Sequence, residues 1–258
     1  MRARLHGHLV LAYTALSMVF FFLVGLPEMI FLGRGDLAIW FARHAWGPSI
    51  LKLAGARLEV DPQPPLPDGP LIFASNHESA LDIVALLARL PRAFRFVAKQ
   101  ELFDLPVFGW YMRIGGHVAV DRSHHGKAVA SLRHAGQIVR SGTSLLVFPE
   151  GTRSKDGRIQ PFKKGPFVLA VEAGVPVIPV AISGAGRITP KAVIAVYPGT
   201  IRIALGEPVD PAAFPDKTAL LTEVRRRVIA LHRRIGGLGG DLDEPVAEAG
   251  REGSRAAR

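Results

Sequence analysis

Four short runs between residues 71 and 183, LIFAS, FRFVA, SLLVFP and VPVIPVAIS, are apolar at nearly every position. A strand with one wet face alternates apolar and polar side chains, whereas a continuous apolar run belongs to a strand covered on both faces. Between these runs lie segments with helical spacing: DIVALLARL (82–90), HGKAVASLRHAGQIVRSG (125–142) and KGPFVLAVEAG (164–174). Strands that alternate with helices in this way specify an α/β fold, a sheet flanked by helices. HVAVD (117–121), AVIAVYP (192–198) and TIRIALGEPV (200–209) are expected as further strands. A last helix, KTALLTEVRRRVIALHRRIG, presents Val224, Val228, Leu231 and Ile235 along one side.

Ahead of this pattern stands a different texture. After MRARLHGH, residues 9–27 carry no charge. That is close to the ~20 residues that cross a bilayer. The run is long for a signal-peptide core, and no small-x-small cleavage site follows it, so a retained membrane anchor is preferred over a signal peptide or a buried core helix. Pro27 and Glu28 are expected to bend or end this helix. A mixed segment, DLAIWFARHAWGPSILKLAG, follows; its tryptophans suit the membrane interface, and its Arg43, His44 and Lys52 make a second crossing costly. The expectation is therefore a hairpin that dips into the cytoplasmic leaflet. The protein would then sit on the inner (cytoplasmic) membrane with its α/β domain facing the cytoplasm. The domain reading is a membrane-associated helical region at 1–60, an α/β domain at 61–235 that opens on the Pro-rich DPQPPLPDGP, and a disordered tail at 236–258.

The formal charge is +10, from 32 Lys and Arg against 22 Asp and Glu. The basic residues gather at 153–164 and 217–234, beside very apolar segments, which favours an anionic membrane surface over a nucleic-acid groove. No nucleic-acid-binding motif accompanies them. The chain has no cysteine, which excludes disulfides, Cys-ligated zinc and a thiol nucleophile.

Two stretches carry candidate chemistry. In NHESALD, Ser79 and Asp82 can cap the helix that follows, with Asp82 in the role of a capping-box acid. The same Asp82 can orient the imidazole of His77, provided His77 lies in the turn before the helix and folds back over it. The two readings are compatible. A His–Asp dyad at the end of a strand is placed where α/β folds bind ligands, and it can take a proton from a hydroxyl. No GxSxG elbow is present, and residue 81 is Leu81, so HExxH fails as well. The hydroxyl is thus assigned to a substrate rather than to the protein. In FPEGTRSKDG a glycine turn brings Glu150, Gly151, Thr152 and Arg153 together, a plausible anion clamp or else a polar surface turn. Arg122, after HVAVD, is a second candidate anion ligand, and Lys99 a weaker one.

Taken together these stretches resemble the glycerolipid acyltransferase family that converts 1-acyl-sn-glycerol 3-phosphate to phosphatidic acid. NHESALD is similar to its first motif, AKQELFDLPVFGWYMRIGG to the stretch that follows, GGHVAVDR to its second motif, FPEGTRS to its third and VPVIPVAI to its fourth. Order and spacing agree over roughly residues 50 to 210. Val118 and Ala119 stand where the second motif usually has a bulky apolar or aromatic residue. The resemblance implies His77 and Asp82 as catalytic residues, with Asn76, Ser79 and Lys99 in support. It implies phosphate recognition by Arg122, Glu150, Gly151, Thr152 and Arg153. It also implies no cofactor and no metal, an acyl-CoA or acyl carrier protein thioester as donor, and a lysophospholipid acceptor in the bilayer. Alternatives left open are another acceptor, such as a lyso-ornithine lipid, or a non-catalytic module that binds anionic membranes.

Overall fold

The computed structural model describes residues 1–32, 35–121 and 125–241. The chain starts with α1 (Arg2–Leu32), α2 (Asp36–Phe41), a π-helical stretch at Ala42–Trp46, α3 (Gly47–Leu53) and β1 (Ala56–Val60). There follow β2 (Ile72–Ser75), α4 (Leu81–Arg89), β3 (Phe94–Lys99), α5 (Gln100–Phe103), α6 (Phe108–Ile114) and β4 (Val118–Val120). The second half holds α7 (His125–Arg140), β5 (Ser144–Val147), α8 (Gly165–Ala173), β6 (Val177–Ser183), α9 (Ala185–Ile188), β7 (Gly199–Leu205) and α10 (Lys217–Arg234).

The strands form one sheet in the order β1-β7-β6-β2-β5-β3-β4. Among the strands described, β6–β7 is the one antiparallel pairing, so β1 and β7 run against the other five strands. The strand β2 is central, with Ile72 opposite Leu145 on one side and Val177 on the other. Its residues show why the apolar runs are continuous: Phe73 enters the core with Leu86 of α4, whereas Ile72 and Ala74 enter a second core with Phe167 of α8 and Val228 of α10. Period-two alternation sends neighbours to opposite faces, and here both faces are buried.

Three features define the N-terminal region. First, α1 does not end at Pro27 but runs on to Leu32; one internal proline removes a single backbone hydrogen bond, which a long helix can absorb. Glu28 instead accepts the N–H of Leu37 at 2.8 Å and so holds the start of α2. Second, the hairpin is tied at its base. His6 donates to the Leu53 carbonyl at 2.7 Å, and Val196 N–H to the Ala3 carbonyl at 3.0 Å. Third, the boundary at residue 60 does not separate membrane region from domain, because Ile50, Leu51 and Ala54 share a core with Val84, Leu86 and Leu87. In contrast, only 17% of the most apolar window of α1 is buried. Leu9, Leu16, Phe20, Leu23 and Phe31 are exposed along it, and Trp40 and Trp110 are exposed as well.

AVIAVYP, expected as a strand, is irregular. Its buried Ala195 and Val196 pack against the start of α1 rather than a sheet neighbour, and Val196 spends its N–H there. The edge strand β1 was not anticipated, since its half-exposed residues carry no continuous apolar signal. At the other end, residues 236–241 continue the ordered structure past the expected tail boundary. Gly239 N–H donates to His232 at 3.0 Å, and the Gly239 carbonyl accepts from Ile159 N–H at 2.8 Å. Residues 242–258 of the expected tail lie outside the described residues.

Candidate active site

The site forms where β2 ends. Asn76, the first residue past the strand, uses its side-chain amide as a prosthetic backbone: Nδ2 donates to the Ile182 carbonyl at 2.8 Å and Oδ1 accepts from Ile182 N–H at 2.9 Å. This pins the chain to β6 while the backbone turns away from the sheet. Residues 76–80 are then irregular, and α4 begins at Leu81.

Within that turn His77 folds back over the helix start. Its Nδ1 lies 2.7 Å from Asp82 Oδ2. The same oxygen accepts the N–H groups of Glu78 at 2.6 Å and Ser79 at 2.8 Å. Asp82 is fully buried. Burial pushes its carboxyl up from the usual carboxylate range, against the opposing pull of the His77 hydrogen bond and charge and the Ser79 N–H. Capping and pairing thus fall on one oxygen, as the sequence allowed. Ser79 Oγ accepts from Leu81 N–H at 3.2 Å and hydrogen-bonds Thr189. The imidazole stacks on Phe148, with ring centroids 4.0 Å apart and planes 16° apart. The side chain retains 14% exposure, and Nε2 has no hydrogen-bond partner among the described residues. One ring nitrogen is therefore held and the other is available.

The second stretch follows β5. Gly151 takes φ +73°, left-handed backbone that a side chain would strain, and turns the chain after Pro149-Glu150. Glu150 is 3% exposed, and its two oxygens accept backbone N–H groups, one from His77 at 2.8 Å and one from Gln160 at 2.9 Å. Burial pushes its carboxyl up to about 8, against those two N–H groups. Both carboxyl oxygens thus clamp the His77 turn and Gln160 to this loop. Ser154 N–H adds a second clamp, donating to the His77 carbonyl at 2.7 Å. Arg153 is half-buried, and its guanidinium has no partner among the described residues. Lys191 braces the loop through the Arg153 carbonyl at 2.7 Å and Thr152 Oγ1 at 3.3 Å. Lys99 is exposed at the end of β3. Arg122 lies outside the described residues; it follows β4, which pairs with β3 so that Lys99 faces Val120.

Glu78 was not singled out by the sequence. It is 8% exposed and ties three elements together. Its Oε1 accepts from His232 Nε2 of α10 at 3.0 Å, and its Oε2 accepts from the N–H groups of Gly184 and Gly186 at 3.1 and 3.2 Å. His232 in turn accepts Gly239 N–H on Nδ1, which fixes its proton on Nε2. The only signal for this network was an acid next to His77 and a histidine on the apolar side of an otherwise basic helix.

The chain matches known proteins in sequence and in fold. A profile described as Acyltransferase matches residues 57–183. The 1-acyl-sn-glycerophosphate (LPA) acyltransferase PlsC from Thermotoga maritima superposes with a TM-score of 0.77 at 29% identity, covering 88% of this chain and 93% of that one. The chain belongs to the 1-acyl-sn-glycerol-3-phosphate acyltransferase family of glycerolipid acyltransferases. Family members alike in sequence include a chloroplastic 1-acyl-sn-glycerol-3-phosphate acyltransferase of Brassica napus, 39% identical over 64% of this chain and 47% of its own length. The 1-acyl-sn-glycerol-3-phosphate acyltransferase of Pseudomonas aeruginosa is 36% identical over 66% of this chain and 62% of its own. The matched region thus spans about half the length of the plant relative.

Proposed function

We propose that this chain transfers an acyl group from an acyl thioester, on coenzyme A or acyl carrier protein, to the free hydroxyl of 1-acyl-sn-glycerol 3-phosphate, giving phosphatidic acid. The observation that carries the reading is the His77–Asp82 pair, with Nδ1 held at 2.7 Å and Nε2 unpartnered among the described residues. Asp82 fixes the proton on Nδ1, so Nε2 offers a lone pair. Nε2 takes the acceptor hydroxyl proton as that oxygen bonds to the thioester carbonyl carbon. The tetrahedral intermediate collapses, the C–S bond breaks, and the proton passes from His77 to the departing sulfur. No acyl-enzyme, metal or cofactor enters this sequence. Asp82 stabilises the imidazolium between the two transfers. Arg153, with Lys99 at the end of β3 and with Arg122, supplies charge for the acceptor phosphate, where a guanidinium pairs in bidentate fashion.

The acceptor is a membrane lipid, and α1 offers an exposed apolar surface to the bilayer. The tied base of the hairpin supports a re-entrant anchor in the cytoplasmic leaflet, with the domain on the cytoplasmic side. Deleting residues 1–32 should release the protein from membranes. The decisive assay offers 1-acyl-sn-glycerol 3-phosphate, other lysophospholipids and a lyso-ornithine lipid to the full chain and to His77→Ala. Phosphatidic acid as main product, lost by ~10²–10⁴-fold or more in the variant, is expected. A folded His77→Ala protein with undiminished transfer would sink the assignment, and preference for a phosphate-free acceptor would replace the substrate.

A further inference from the structure

A cavity of about 560 Å³ opens beside the catalytic turn without including His77. It lies between the SKDG bend after the third motif, the turn from β6 into α9 and the segment at Gly237-Leu238. Three cations line it, Lys155, Arg187 and Lys191. Lys155 and Arg187 are exposed, and their side chains make no hydrogen bond or ion pair among the described residues. Two carboxylates share the wall, but both are spoken for. Glu78 is held by His232, Gly184 and Gly186, and Asp156 accepts from Ser154 Oγ at 3.1 Å and Arg158 N–H at 3.0 Å.

The sheet order gives this cavity a direction. The strand β6, which leads to Arg187 and Lys191, lies on one side of β2; β5, whose following loop carries both Arg153 and Lys155, lies on the other, with β3 and its last residue Lys99 beyond it. Two reactants must meet at His77. If the acceptor phosphate uses Arg153 and Lys99 on the side toward β3, the cavity between the β5 loop and the β6 turn is left for the donor. Its volume falls within the ~300–1,000 Å³ of small-molecule sites. Gly184, at φ +98°, stands where a Cβ would lie 2.2 Å from the Thr200 carbonyl, so the turn that forms this wall is sterically fixed.

We propose that this cavity holds the phosphate-bearing end of the acyl donor, with Lys155 and Arg187 as its anion ligands. The assignment rests on the acyltransferase reading above and adds a subsite to it. The chemistry shared by the two donor sources is the phosphate of phosphopantetheine; coenzyme A adds a nucleotide with a further phosphate, for which the cavity has room. The flexible pantetheine arm then carries the thioester back to His77, one residue from Glu78 on the cavity wall.

The test uses the full chain in detergent micelles, with Arg187→Glu and Lys155→Glu made singly and together, and Arg57→Glu on the exposed edge strand as a control for net charge. The double variant should raise the donor KM by about tenfold, the worth of one to two lost charge-assisted hydrogen bonds, while the acceptor KM stays put. Adenosine 3′,5′-bisphosphate should compete with acyl-CoA in the parent and lose potency in the variant. A rise with acyl-CoA alone assigns the nucleotide to the cavity; a rise with acyl carrier protein as well assigns the common phosphate. A rise in acceptor KM with an unchanged donor KM would overturn the proposal, as would no change in either. Equilibrium binding of coenzyme A and of holo-carrier protein separates this from the reaction itself. Binding that depends on Arg187 without any transfer would defeat the proposed activity and keep the site. Binding indifferent to Arg187, or absent for both molecules, would defeat the site.

Discussion

Asp82 and Glu150 are two buried carboxyls at the ends of adjacent strand units, and both touch His77. Each has its carboxyl pushed up by burial. They differ in what they hold. Asp82 takes the imidazole Nδ1 of His77, whereas Glu150 takes only backbone N–H groups, one of them from His77. In the proposed mechanism the first contact changes with the proton that moves; the second does not. Like chemistry in like burial therefore serves two purposes, charge stabilisation in one loop and loop registration in the other. The contrast can be broken by exchanging each carboxylate for its amide.

The largest effect should come from Asp82→Asn. An amide cannot stabilise the imidazolium, and it can hold the ring in the wrong tautomer, so kcat should fall by ~10²–10⁴-fold. Next comes Arg153→Lys, which keeps the charge and loses the planar fork; kcat/KM for the acceptor should drop about tenfold with the donor KM unchanged. Steady-state kinetics with each substrate varied in turn reads both.

Glu150→Gln should cost less in turnover and show itself in stability. An amide oxygen can replace only one of the two carboxylate acceptors, leaving a buried N–H unpaired for about 1–3 kcal/mol. The pH dependence sharpens the difference. In the unfolded chain Glu150 loses its proton near its ordinary value of 4.5, and in the fold only at about 8. The fold thus retains a proton that the unfolded chain has released, and stability falls as pH rises through that window. Glu150→Gln, which does not titrate, should flatten this part of the profile in thermal unfolding followed by circular dichroism. An unchanged slope would mean that Glu150 is ionised throughout.

The sheet was legible because its strands are buried on both faces, so LIFAS and VPVIPVAIS read as strands without any partner in view. The helix α10 was legible from Val224, Val228, Leu231 and Ile235, all buried. The same logic misread AVIAVYP, since apolar side chains report burial and not the partner: its burial is supplied by α1. At the site, local spacing found His77 and Asp82, which meet across one turn. Glu150 was found, but its contacts to His77 and Gln160 were not foreseen, because they join segments distant in sequence. The Glu78–His232 pair, 154 residues apart, had no local pattern to announce it.

The central claim is that Asp82 acts through His77. A double-mutant cycle of His77→Ala, Asp82→Ala and the two combined, read as kcat/KM for acyl transfer in proteins shown to be folded, tests it most directly. Two residues that work as one unit lose their function once, so the double variant should be no slower than His77→Ala alone, within about threefold. If the two losses instead multiply, Asp82 contributes independently of the imidazole and the dyad account is wrong.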